Sequence, residues 1–188
     1  TFTNIVGSTV GSVSAGMAKI DDKDDDVAVV VSDAITTASA DNISDLNALI
    51  AATDGTVTAT VSGNIAELDG ITATLGETGT STLTLTVADA ASVSAGVLVV
   101  GATDASTVAF TTGLRDIYSN LVDDAGAVRA GVTTVATADD NVNIAVTDVI
   151  GSADTQNITD LNALLAATDG AVTATLNGNY AQLANIRA

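Results

Sequence analysis

One stretch of this chain is written twice. Residues 42 to 71 read NISDLNALIAATDGTVTATVSGNIAELDGI and residues 157 to 186 read NITDLNALLAATDGAVTATLNGNYAQLANI, ungapped at an offset of 115 and identical at 21 of 30 positions. The match continues upstream, where VVVSDAI (Val29 to Ile35) faces IAVTDVI (Ile144 to Ile150). A more degenerate copy lies between them, with TLTLTVADA (Thr82 to Ala90) in the strand position and VVGATD (Val99 to Asp104) facing LIAATD (Leu49 to Asp54). Internal repetition at this scale predicts units that cannot bury their apolar faces alone and must be covered by their neighbours.

Each unit alternates two periods. Ile43, Leu46, Leu49 and Ile50 make a helical stripe, ended by Gly55, and Ile65, Leu68 and Ile71 a shorter one. Asn42 with Asp45, Asn157 with Asp160, Asn64 with Glu67 and Asn179 with Gln182 read as capping boxes, marking four helix starts. Val10, Val13, Met17 and Ile20 predict another helix, as do Leu114, Ile117, Tyr118 and Leu121. Between them the period falls to two: Val57, Ala59 and Val61 alternate with Thr58, Thr60 and Ser62, and Leu83, Leu85 and Val87 with Thr82, Thr84 and Thr86. Strand starts are expected near residues 27, 57, 82, 107, 142 and 172. The expected fold is an α/β repeat, a right-handed β/α solenoid of short parallel strands and short helices. An all-β sandwich or β-solenoid is the alternative that abundant Thr and Val allow. The expected divisions are 1–26 as a partial repeat with an acidic linker, 27–76 as repeat 1, 77–141 as degenerate repeat 2 and 142–188 as repeat 3.

Composition removes most chemistry. The 188 residues include no His, Cys, Trp or Pro, and Lys19, Lys23, Arg115, Arg129 and Arg187 are the five cations. Acid–base and nucleophilic catalysis near neutral pH lose their usual groups, and zinc, haem and iron–sulfur centres lose theirs. A formal charge of -18 repels a phosphate backbone, which argues against nucleic acid. Yet 47% of the residues are apolar, so the chain is expected to fold rather than stay disordered. No apolar run approaches the roughly 18 residues of a membrane-spanning helix, and Val27 to Val31 has strand length. No charged segment followed by an apolar one opens the sequence, so the chain reads as processed or as a piece of a longer one. No enzyme activity is expected.

Oxygen-ligated cations stay open. Asp21, Asp22, Asp24, Asp25 and Asp26 form one acidic run, and Asp139, Asp140 and Asn141 another, followed by Asn143. Such groups are candidate calcium ligands, although the second lacks the Gly and Glu of an EF-hand loop, and Asp123 with Asp124 forms a smaller pair. Asp54, Asp104 and Asp169 recur in T-D-G or T-D-A turns, which more simply close a helix and open a strand. Asn42-Ile43-Ser44 and Asn157-Ile158-Thr159 match the glycosylation acceptor pattern, though capping explains both Asn residues. Thr58, Thr60, Thr82, Thr84, Thr86, Thr173 and Thr175 would make rows of hydroxyl and methyl groups if the strands stack. Such rows look like those of ice-binding solenoids and suit carbohydrate, while high β-propensity alone also accounts for them.

The phrase DLNALIAATDGTVTATVSGNIAELDGI resembles the repeats of very long, acidic, Thr-, Ala- and Val-rich bacterial proteins, those of cyanobacteria in particular. The likeness covers residues 29 to 71 and 144 to 186, and the middle loosely. It implies export without disulfides, an extracellular or cell-surface location, and a role as layer, filament or adhesin. A homo-oligomer or polymer is the expected assembly. A carbohydrate- or ice-binding module and a virion fibre component are the alternatives.

Overall fold

The structure is a computed structural model and describes residues 1–71, 81–101, 107–123 and 125–187. In chain order the elements are α1 (Phe2–Ile5), α2 (Ala15–Asp21), β1 (Val29–Val30), α3 (Ala40–Ala51), β2 (Val57–Gly63), α4 (Ile65–Leu68), β3 (Thr82–Val87), α5 (Val93–Gly101), β4 (Thr107–Phe110), β5 (Leu114–Asp116), α6 (Tyr118–Leu121), α7 (Ala130–Ala138), β6 (Ile144–Ile150), α8 (Thr155–Ala166), β7 (Val172–Leu176) and α9 (Tyr180–Leu183). The fold is mixed α/β with two small parallel sheets, ordered β1-β2-β3-β4 and β5-β6-β7. The all-β alternatives fall, because helices separate the strands and the pairings in these sheets are parallel. The chain divides into two compact units, Thr1–Ala88 with Leu98–Val108 and Asp89–Val97 with Ala109–Ala188, so residues 77–141 contribute to both.

In the first unit, β2 buries Val57, Ala59, Val61 and Gly63 and turns Thr58, Thr60 and Ser62 away, as period two requires. β3 buries Leu83, Leu85 and Val87 in the same alternation. The stripe of α3, Ile43, Leu46, Leu49 and Ile50, is buried with them, and Leu46 and Leu49 are fully enclosed. In the second unit Leu114, Ile144, Leu121, Val132, Val135 and Leu164 form the core.

Four local expectations need correction. Helices α3 and α8 begin earlier than the apolar stripes: Ser39 and Asp154 are the N-caps, accepting from the amides of Asn42 and Asn157 at 3.3 and 2.9 Å. Asn42 and Asn157 therefore lie inside the first helical turn and cap nothing. Asn64 is an N-cap without a side-chain bond, and only Asn179 with Gln182 completes a capping box. The helix expected from Val10 begins at Ala15, because Val13 is held in an antiparallel bridge to Val6. Leu114 is a strand residue, and only Tyr118–Leu121 is helical: Gly113 has φ +89° immediately before it, and Leu114 pairs with Ile144.

Candidate functional site

The polar side chains that the structure brings together sit at the junctions between successive strands, and they recur at the sequence offset of 115. Thr53 follows α3 and is buried. Its Oγ1 lies 3.0 Å from the carbonyl of Asp25 and 2.7 Å from that of Val27, sharing one proton between them, and accepts the Gly55 amide at 3.0 Å. The Asp54 amide donates to the Asp25 carbonyl at 2.7 Å. Thr168 repeats this on the carbonyls of Asp140 and Val142 at 3.0 and 2.6 Å, accepting the Gly170 amide at 2.9 Å, and Asp169 repeats the bond to Asp140 at 2.7 Å. The T-D-G turn is thus a clamp, whose buried threonine hydroxyl ties down carbonyls of the preceding acidic loop. Asp104 lies outside the described residues.

The acidic runs are the other half of that clamp. Asp25 and Asp140 contribute main-chain carbonyls to it, while Asp21 ends α2, Asp22 is its C-cap, and Asp22, Asp24, Asp25 and Asp26 are exposed. Asp139 turns its Oδ2 to the Phe110 amide at 2.6 Å, and Asn141 donates to the Asp140 carboxylate at 2.8 Å. Among the described residues, no three acidic side chains are grouped so that they could hold a metal ion. Asp123 accepts the amides of Ala127 and Ala125, both at 2.9 Å, and those bonds hold its carboxyl below the ordinary range. Asp124 lies outside the described residues.

A second device escapes sequence reading. An aspartate in a strand or just after one caps a helix 23 to 31 residues earlier in the chain. Asp33 accepts the Phe2 amide at 2.5 Å, Asp116 the Val93 amide at 3.0 Å and Asp148 the Tyr118 amide at 2.7 Å, each amide being the first of its helix. Burial disfavours the charge on Asp116, but bonds from Asn120 and the amides of Val93 and Ile117 outweigh it and hold the carboxyl below its ordinary value. The available signal was the shared phrase of an apolar residue, any residue and Asp: Val31 to Asp33, Leu114 to Asp116 and Val146 to Asp148.

Asp45 and Asp160, read as capping partners, instead bind a loop amide and helix side chains. Asp45 accepts the Gly11 amide at 2.7 Å; Asp160 is buried and accepts Tyr118 Oη and Gln156 Nε2, each at 2.7 Å. Burial together with the Asp160 and Asp154 carboxylates raises the Tyr118 phenol well above its usual range, keeping it a donor. Gly11 and Gly126 adopt φ of +75° and +86° at equivalent places in the two loops, a conformation that favours glycine.

Each 12-residue helix also lies beside a four-residue helix. Asn47 Nδ2 bridges them by donating to the Gly70 carbonyl at 2.8 Å, and Asn162 does the same to Asn185 at 3.1 Å. Open grooves of about 450 and 580 Å³ remain, one beside Ile43, Asn47 and Glu67, the other beside Ile158, Asn162 and Gln182. The first lining includes the Glu67 carboxylate, and the second Asp154 and Arg187.

The threonine rows are real but confined. Thr58 pairs with Thr82, Thr60 with Thr84 and Ser62 with Thr86. Thr173 and Thr175 belong to the other sheet, opposite Ala145 and Val149. Among the described residues no helix is long and apolar enough to cross a membrane. Comparison of the chain with family models, curated proteins and solved structures gives no match.

Proposed function

We propose that this chain is a structural repeat segment of an extracellular or cell-surface protein, which builds a filament, layer or matrix by stacking like units and performs no reaction. The observation that carries this reading is the repetition of whole junctions: clamp, asparagine bridge and strand pairing recur from Asp25 to Gly70 and from Asp140 to Asn185 with equivalent partners. Selection for a reaction centre would preserve one set of side chains once; here the set that recurs joins backbone to backbone. The sequential order of the parallel strands supports a coil-by-coil solenoid, and the resemblance of the repeated phrase supports display outside the cell. Calcium, as a counter-ion for the exposed acidic loops, belongs to the same reading. The paired threonines of β2 and β3 favour a second reading, a module that binds carbohydrate or ice on that row.

Electron micrographs and sedimentation of the purified chain, at low salt and then in about 1 M NaCl or with calcium, separate the two. With a charge of -18 the chain is expected to stay monomeric at low salt, and to form ordered polymers once the Debye length falls to about 3 Å. Monodisperse particles in every condition would remove the assembly reading and favour the binding module.

A further inference from the structure

The two copies of the repeat are folded alike but not covered alike. In the first, Val57, Ala59 and Val61 of β2, Leu68 of α4 and Ile71 are at most 3% exposed. Their counterparts at the offset of 115, Val172, Ala174, Leu176, Leu183 and Ile186, are all only half-buried, and Tyr180, facing Ile65, is 89% exposed. The difference lies in the neighbour. β2 carries β3 on its far side, with Thr58 to Gly63 paired to Thr82 to Val87, whereas β7 is the last strand of its sheet.

The backbone tells the same story. Val29 and Val31 donate to the carbonyls of Thr56 and Thr58, so residues 56 and 58 face β1 and residues 57, 59 and 61 face β3. In β7 the carbonyl of Ala171 and the amide of Asn177 bond to β6, which turns the amides of Val172, Ala174 and Leu176 toward the open edge. The other sheet has an open edge as well. β1 is the first strand of its sheet, Val30 is 69% exposed, and the amides of Val29 and Val31 are taken by β2, leaving that of Val30 facing out. Its counterpart Ala145 pairs with Arg115 of β5, so the molecule itself displays what each open edge accepts: a parallel strand.

We infer that the β7 edge of one molecule takes the β1 edge of a second copy as a parallel strand, covering Val172, Ala174, Leu176 and Leu183 as β3 covers their counterparts. This rests on the structural reading above and names its contact. Two different edges that complement each other, β7 of one sheet and β1 of the other, make a heterologous contact, which propagates when its rotation does not close a ring. A following repeat of a longer chain would satisfy the same face by the same chemistry, and the test distinguishes it.

Ala174→Pro removes an outward amide without touching a bond to β6, and Val30→Pro does the same on the other edge. Sedimentation velocity in about 1 M NaCl is the measurement. The wild type is expected to polymerise, each variant alone to remain monomeric, and an equimolar mixture of the two to stop at dimers, because each supplies one intact edge. Far-UV circular dichroism matching the wild type shows that the variants fold; Leu176→Lys, which charges the same face without altering the backbone, should block growth equally and guards against a proline that unfolds β7. Polymers from Ala174→Pro and Leu176→Lys that match the wild type would overturn this contact while leaving assembly intact. A wild type that stays monomeric throughout would overturn both, and would leave the face to a following repeat of the same chain.

Discussion

Leu68→Ala should cost about 3 kcal/mol and Leu183→Ala about 1 kcal/mol, measured as urea midpoints at low ionic strength with unchanged slopes. The residues hold the same place in the repeat, the last position of a four-residue helix following N-x-A. Leu68 is fully enclosed, so truncation leaves a cavity that the surrounding side chains can only partly fill. Leu183 is half-buried, and water takes up much of the space its side chain leaves. Equal losses at the two positions would mean that the far side of the C-terminal copy is already covered, contrary to the reading of an open face.

Gly55→Ala and Gly170→Ala should each cost about 3 kcal/mol, and by similar amounts. A Cβ at Gly55 would lie 2.4 Å from the Asp26 carbonyl oxygen and the Val27 carbonyl carbon; at Gly170 it would lie 2.4 Å from the carbonyl oxygens of Asn141 and Val142. These neighbours are backbone, and the clamp of Thr53 or Thr168 fixes them, so relief requires breaking two or three at least partly buried hydrogen bonds at about 1 kcal/mol each. Gly151→Ala is the control. Nothing lies within 4 Å of its Cβ position, and it should shift the midpoint by less than about 0.5 kcal/mol. A large loss at Gly55 with none at Gly170 would contradict the equivalence of the two clamps.

Much of the fold was legible because one-sided burial writes period two into a strand. The expected starts at 57, 82, 107 and 172 coincide with the first residues of β2, β3, β4 and β7. β5 was not legible: three residues are too few to establish a period, and Leu114 with Leu121 happened to fall at helical spacing. Helix starts failed for a different reason. Ser12 to Gly16 and Ser92 to Gly96 are the same phrase, SVSAG, yet the first helix is capped by Ser14, while in the second the amide of Ala95 bonds to Ser92. In the second case the Val93 amide is taken by Asp116, 23 residues away. Local pattern cannot decide a cap that a distant carboxylate selects.

The site shows the same division. The T-D-G turns were recognised as turns from their residue types, but the threonine that clamps them is invisible until its carbonyl partners are placed. The acidic loops looked like ligand clusters because sequence shows side chains. In the structure, Asp25 and Asp140 serve the clamps through their carbonyls. The likeness of residues 1–13 to residues 117–128 was hidden by a difference of one residue in loop length. It becomes visible through Gly11 and Gly126, which hold the same left-handed turn.

Amide hydrogen exchange, compared between low salt and assembling conditions, tests the open-face account most directly. Val57, Ala59 and Val61 should be protected in both states, whereas Val172, Ala174 and Leu176 should exchange freely in the monomer and become protected as polymers form. Protection of Val172, Ala174 and Leu176 already present in the monomer, or gained elsewhere while these three continue to exchange, would contradict it.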